Sequence, residues 1–156
     1  MFLTEDIPRP VRVAFSRCTA PYALDRELIA AVRGTRVLEV TTSAIERDRS
    51  HPLLDNDQGG AYDRFRAVHD IVGHAAARFG FDRDGEFGAW LAQERLYSPM
   101  ARAALATELH GEHCVRWTTG ELADHKATLL DARVVARARP GVPDLQRPPV
   151  VAGRWR

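Results

Sequence analysis

Two histidines, His69 and His74, lie five positions apart in the segment "RFRAVHDIVGHAAARFGF" (residues 64–81), where Asp70 follows the first and Gly73 precedes the second. Neutral imidazole is the commonest metal ligand among side chains, so the pair indicates a candidate metal site. A regular helical pair would use positions i and i+4. At ideal helix geometry a residue five positions on is rotated by about 140° and raised by about 7.5 Å, so both rings must lean towards one ion. A glycine between them lets a neighbouring backbone or a ligand come close.

Two carboxylates further along the chain occupy positions where leucines are expected. Five residues have the spacing of a buried helical stripe, namely Ala101, Leu105, Glu108, Glu112 and Val115. Isolated buried carboxylates cost several kcal/mol, and proteins tolerate them when they are paired or bind a metal. Glu108 and Glu112 are therefore candidate ligands. The alternative is that this end of the helix is exposed, or that arginines pair with both glutamates.

Three more residues are candidates for additional ligands or for contacts around the ion, namely Glu86, Glu94 and His113. Structural roles are the simpler interpretation of the two glutamates, because Glu86 can favour a helix N-terminus through its charge and Glu94 can pair with an arginine. A dinuclear site would use Glu86 or Glu94 together with Glu112 and His113, and it would need bridging carboxylates.

A small β-containing part precedes the helices that carry these residues. Residues 11–17 and 35–43 alternate or are β-branched and predict two strands, and residues 23–34 predict a helix between them. This crossover is long enough for a parallel βαβ unit, although a hairpin partner elsewhere is an alternative. Residues 44–60 are polar and predict a loop.

From residue 61 the periodicity predicts four helices, at 62–79, 85–97, 99–117 and 120–137. Asp84 is the expected N-cap of the second, and Ser98 with Pro99 predicts the start of the third. The fold class is therefore α+β, a mainly helical domain with a small N-terminal β unit. We expect a single metal-binding domain over residues 1–156, with an N-terminal part (1–60), a helical core (61–137) and a surface tail (138–156).

The composition excludes several classes of partner. The chain has 156 residues and a formal net charge of +1, so no broad basic field favours nucleic acid. The two cysteines, Cys18 and Cys114, form no CxxC pair, which favours a reducing compartment. Neither a signal-peptide pattern nor an apolar run approaching about 20 residues is visible, so no membrane contact and a cytoplasmic location are expected.

The segment "HDIVGH" (69–74) resembles the iron-binding motif of the aromatic amino acid hydroxylases, in which two histidines and a later glutamate form a facial triad on non-haem Fe(II). The resemblance implies that His69 and His74 are ligands, that Asp70 is the acidic residue beside the first, and that Glu108 is the third ligand, with Glu112 next. The chain is far smaller than that family's usual catalytic domain and has no counterpart of its pterin-binding segments, so a pterin is a doubtful cofactor. The longer pattern "FRAVHDIVGHA", followed by "GE", a Trp and "ATE", is similar to uncharacterised phage and actinobacterial domains, a resemblance that implies no chemistry.

Three functional hypotheses follow. The first is a non-haem Fe(II) oxygenase that acts on a small-molecule substrate with O2 through His69, His74 and Glu108, because two histidines and a carboxylate leave three positions of an octahedral ion open. The second is a Zn(II) hydrolase on the same ligands, with Glu112 as general base. The third is a non-catalytic domain with a structural metal or a polar cluster. In the catalytic readings, Asp70 holds a ligand ring or contacts the substrate.

Overall fold

The computed structural model describes residues 10–45, 57–121 and 123. A strand, a helix and a second strand come first, and four helices follow, which confirms the mainly helical α+β class. The regular elements are β1 (Arg12–Ser16), α1 (Asp25–Ala30), β2 (Val37–Thr41), α2 (Ala61–His69), α3 (Arg83–Glu94), α4 (Pro99–Leu105) and α5 (Glu112–Thr119). Wider π-helical segments extend three of the helices, at Ala31–Thr35, Asp70–Ala76 and Ala106–Gly111. Within the described residues, no helix combines the length and the apolar character needed to cross a membrane.

The two strands pair in parallel and α1 connects them, so the predicted βαβ unit is confirmed. Their register joins Arg12 to Val37 and Ser16 to Thr41. The apolar core beneath them takes side chains from β2, from α1 and its extension, and from the helix that begins with α2; its buried members are Leu28, Val32, Leu38, Val40, Ala67 and Ala75. Each large aliphatic side chain buried in this way stabilises the fold by about 1.5–3 kcal/mol, which holds α2 against the sheet.

A buried carboxylate fixes where α2 begins. Asp63 is fully buried and accepts hydrogen bonds from the Thr42 hydroxyl at 2.6 Å and from the backbone N–H groups of Ser43 and Gly59 at 2.7 and 2.9 Å. Burial alone would raise the pKa of Asp63, but these bonds to the ionised form outweigh it, and the net shift is downward. Asp63 therefore ties the chain after β2 to the first turn of α2.

The unusual spacing of the two histidines is accommodated by the π-helical segment that continues α2. A π turn closes hydrogen bonds from i to i+5, such as the one from the Ala77 N–H to the Val72 carbonyl at 3.2 Å. Residues five positions apart can then lie on one side of the helix. Gly73 within this segment packs directly on α3, because a Cβ atom at Gly73 would lie 2.6 Å from the Cβ of Ala89.

Two predictions about helix ends have different outcomes. Ser98 caps α4 by accepting a hydrogen bond from the Ala101 N–H at 3.4 Å, as predicted. The prediction that Asp84 caps α3 is wrong, because Asp82 is the N-cap and accepts from the Gly85 N–H at 2.7 Å.

The predicted apolar stripes are shifted by the π segments. Along α4 and its extension the buried residues are Leu105, Ala106 and Leu109, whereas Val115 is 38% exposed and both predicted stripe glutamates are half-buried. Phe79, the last residue of the predicted helix 62–79, lies beyond the end of the π segment at Ala76 and is 37% exposed. A constant period of 3.6 residues fails once a π turn adds a residue to the repeat.

The chain leaves α5 at Gly120, whose φ of 81° is left-handed and ends the helix. The predicted helix over 120–137 is therefore not helical at its first two residues, and nearly all of the rest lies outside the described residues. The predicted tail, most of the predicted loop, His51 and His125 also lie outside them.

Candidate metal site

Three side chains from two neighbouring helices converge on one point. The Nε2 atoms of His69 and His74 lie 3.2 Å apart, and the Oε2 atom of Glu86 lies 3.3 and 3.4 Å from them. The residues are 8%, 1% and 9% exposed, respectively. Their ligand atoms all lie within 4.8 Å of one another, so the three residues form a group that could hold a metal ion. We refer to His69, His74 and Glu86 as the metal group.

Hydrogen bonds on the far side of each imidazole set its orientation. The Nδ1 atom of His74 lies 2.9 Å from the backbone carbonyl of Phe79, which can only accept, so this nitrogen carries a proton. The Nδ1 atom of His69 lies 2.9 Å from the Oε1 atom of Gln93, whose Nε2 in turn donates to the Tyr97 hydroxyl at 3.2 Å. In a neutral ring this arrangement leaves the Nε2 lone pair directed at the centre, as is usual for metal-ligating histidines.

A positive charge between these atoms relieves the repulsion of lone pairs that face one another at 3.2–3.4 Å. A proton serves in the metal-free protein: burial would lower the pKa of His74, but the hydrogen bond and charge of Glu86 reverse this, and the net shift is upward. Burial would likewise raise the pKa of Glu86, but the hydrogen bond from His113 and the contacts with the His69 and His74 imidazoles hold it well below its usual range. A divalent ion can replace the proton, and two imidazoles with one carboxylate suit Fe(II) or Zn(II).

A third histidine reaches the same carboxylate from α5. The Nε2 atom of His113 lies 3.2 Å from the Oε2 atom of Glu86, and the His113 side chain is 20% exposed. The sequence marks His113 only as an additional candidate. The structure brings it against the metal group across the interface between α3 and α5.

The carboxylate beside the two histidines is Glu86, not the predicted third ligand Glu108. The Oε1 atom of Glu108 accepts a hydrogen bond from the Tyr62 hydroxyl, and Glu108 is not in the metal group found among the described residues. Burial and the adjacent Glu108 carboxylate both raise the pKa of Tyr62. Glu94 is buried on α3 and likewise lies outside that group.

The metal group opens into a cleft of about 580 Å³. Two predicted catalytic residues, Asp70 on the π segment and Glu112 on α5, also line the cleft. Burial raises the pKa of Asp70, His69 and His74 lower it, and the net shift is upward. Structural zinc sites are closed by four protein ligands, whereas catalytic sites keep an open position. An opening of this size leaves room for a small molecule beside the metal group.

The other histidine of "ELHGEH", His110, has a packing role. Its ring stacks on Trp90 with centroids 4.6 Å apart and an interplanar angle of 14°, and its edge meets Phe87 at 5.4 Å. Burial lowers the pKa of His110. These contacts join α3 to the extension of α4 and so place His113, one turn later, against Glu86.

Sequence reasoning missed Gln93 and the Phe79 carbonyl, which orient the two rings. Gln93 follows Glu86 by seven residues, a helical spacing that places both on one face of α3 and could have identified it. A backbone carbonyl has no counterpart in a residue pattern.

Comparison of the chain with protein-family models, with curated proteins and with solved structures finds no match.

Proposed function

We propose that this protein is a non-haem Fe(II)-dependent oxygenase that holds iron through His69, His74 and Glu86 and acts on a small molecule with O2. The observation that supports the proposal is the convergence of two oriented imidazole nitrogens and one carboxylate oxygen at the wall of an open cleft. Donors of this type leave three positions of an octahedral ion for O2 and substrate.

Iron, when bound, supplies the redox chemistry, and the chain supplies position and proton exchange. Gln93 and the Phe79 carbonyl keep the two rings directed at the ion. Asp70 and Glu112 line the cleft, where they can exchange a proton with the substrate. The overall reaction needs no separate reductant if both atoms of O2 enter the substrate.

A zinc-dependent hydrolase is the second candidate, and it is favoured by one observation, the presence of Glu112 in the same cleft. Glu112 would then act as the general base that takes a proton from water. Zinc has no redox chemistry, so the metal that the protein retains separates the two proposals.

The first test is metal binding. Elemental analysis after anaerobic purification should find one equivalent of iron, and His69→Ala and His74→Ala should each abolish it while the circular dichroism spectrum is kept. His110→Phe is the matched control, because it removes an imidazole outside the metal group and keeps an aromatic ring that can pack on Trp90. Full occupancy in the variant lacking both His69 and His74 would contradict the assignment, and zinc in place of iron would favour the hydrolase.

The second test asks whether the iron has an open position. The Fe(II) protein should bind nitric oxide under anaerobic conditions and give the electron paramagnetic resonance signal of a high-spin iron–nitrosyl. This needs no knowledge of the substrate. One tightly bound equivalent of Fe(II) without a nitrosyl signal would mean a saturated coordination sphere, and the metal would then be structural.

A further inference from the structure

We infer that His113 is a positioning residue: its Nε2–H donates to Glu86 and holds that carboxylate against the two ligand histidines, and His113 is not itself a ligand. The inference rests on the proposed metal site for its functional meaning. The hydrogen bond itself is a separate claim, which can be measured without metal.

The two ring nitrogens of His113 lie in different environments. Its Nε2 atom lies 3.2 Å from the Oε2 atom of Glu86. Its Nδ1 atom is buried and has no hydrogen-bond partner among the residues that the structure describes. His69 and His74 are the reverse, since each has an oxygen acceptor 2.9 Å from Nδ1. The Nδ1 atom thus has an acceptor in His69 and His74, whereas in His113 it has none among the described residues.

These environments favour a proton on Nε2 of His113 over a proton on Nδ1. A proton on Nδ1 of His113 would be a buried donor with no acceptor in the described part of the chain, which costs free energy. It would also turn the Nε2 lone pair of a neutral ring towards a carboxylate oxygen. A proton on Nε2 instead forms a charge-assisted hydrogen bond to Glu86, and the bare Nδ1 is left only as an unused acceptor. The neutral Nε2–H form of His113 satisfies both nitrogens best.

A proton on Nε2 of His113 keeps this ring from becoming a ligand of the metal group. A protonated Nε2 has no lone pair for an ion, so the donors remain two imidazoles and one carboxylate. Glu86 is carried by α3, and the hydrogen bond from α5 restrains its side chain from a second direction. Partners of this kind orient a ligand and tune its affinity for the ion. The third histidine therefore preserves an open coordination sphere instead of closing it.

The tautomer can be read directly by nuclear magnetic resonance of ¹⁵N-labelled imidazoles in the metal-free protein. We expect His113 to carry its proton on Nε2 with a deprotonated Nδ1. A ring protonated on Nδ1 alone would overturn the inference. This outcome does not depend on metal binding, so it separates failure of the inference from failure of the proposed function.

Two variants test the positioning role. His113→Gln keeps an N–H donor near the same place, whereas His113→Leu keeps bulk without a donor. We expect Fe(II) affinity to fall about 10- to 100-fold in His113→Leu and only a few-fold in His113→Gln. Pulsed electron paramagnetic resonance of the Cu(II)-loaded protein should count two imidazole ligands in the wild type and in both variants.

A count that falls from three imidazoles to two in both variants, with equal loss of affinity, would make His113 a ligand and overturn the inference. A wild-type protein that binds neither ion would refute the proposed function. The hydrogen bond from His113 to Glu86 would then be tested by the tautomer measurement alone.

Discussion

The glycine between the two histidines is a sensitive point of the metal group, and Gly73→Ala tests how the site is built. A Cβ atom at position 73 would lie 2.6 Å from Cβ, 3.1 Å from Cα and 3.2 Å from the carbonyl oxygen of Ala89. All three atoms belong to the α3 backbone or are fixed directly to it, so no flexible side chain can move aside. The two helices must separate, and α3 carries both Glu86 and Gln93.

Two opposing effects set the magnitude. Alanine is favoured over glycine in a helix interior by about 1 kcal/mol. Overpacking of a tight interface typically costs about 1–3 kcal/mol, and the contact here falls nearly 1 Å short of ordinary van der Waals distance. Because this contact involves atoms fixed to the backbone, the upper half of that cost, about 2–3 kcal/mol, applies, and after the gain of about 1 kcal/mol we expect Gly73→Ala to lower the free energy of unfolding by about 1–2 kcal/mol. The melting temperature should then fall by about 2–8 °C.

Metal binding should suffer more than stability, because metal–ligand distances tolerate only about 0.2 Å of error. We expect Fe(II) affinity to drop about 10- to 100-fold, measured by anaerobic titration calorimetry. Gly34→Ala is the matched control, since in the described part of the chain a Cβ there meets nothing within 4 Å. It should leave stability unchanged or raise it by up to about 1 kcal/mol, with wild-type affinity.

Combining Gly73→Ala with Ala89→Gly removes the nearest of the three contacts and should restore part of the lost affinity, whereas the new glycine in α3 itself costs about 1 kcal/mol of stability. The two contacts that remain, to Cα at 3.1 Å and to the carbonyl oxygen at 3.2 Å, keep the recovery incomplete. If Gly73→Ala matched Gly34→Ala in both melting temperature and affinity, close helix contact would not be what holds Glu86 beside the histidines.

Further predictions concern the ligands and their protons. Glu86→Gln should weaken Fe(II) binding at least about 100-fold in equilibrium dialysis while Glu108→Gln binds normally, and the opposite pattern would make Glu108 the ligand. Gln93→Leu should weaken binding about 10- to 100-fold, because the His69 ring loses its acceptor, and an unchanged affinity would show that Gln93 does not orient it. The raised pKa of His74 stabilises the metal-free fold below its ordinary value of 6.5, and this contribution is lost as pH rises through the raised value. Bound metal needs the neutral ring, so the rise in melting temperature on adding Fe(II) should grow with pH over this range, and a gain that shrinks would contradict the assignment of His74.

Local patterns in the sequence predict most of the described fold. Alternating and β-branched residues indicate both strands, and the length of the helix between them allows the parallel pairing that is observed. Helical periodicity and the Ser98-Pro99 signal place the first three of the four predicted helices, at 62–79, 85–97 and 99–117, within a few residues of their actual ends. Each of these signals acts between residues close in the chain, so periodicity and caps record them directly. The two histidines are recognised in the same way, from one short segment.

Which carboxylate lies beside the two histidines depends on how the helices pack. Glu86 and Glu108 are both acidic residues on helices that follow the histidines, and the sequence alone favours Glu108 through a resemblance. In the structure Gly73 lets α3 lie close enough for Glu86 to reach both rings, while Tyr62 binds Glu108. The π turns also change which faces are buried, because one added residue rotates every side chain that follows. Contacts between helices depend on packing distances that no local period contains, so the sequence determined the elements and the histidine pair, and only the tertiary structure decided which carboxylate joins them.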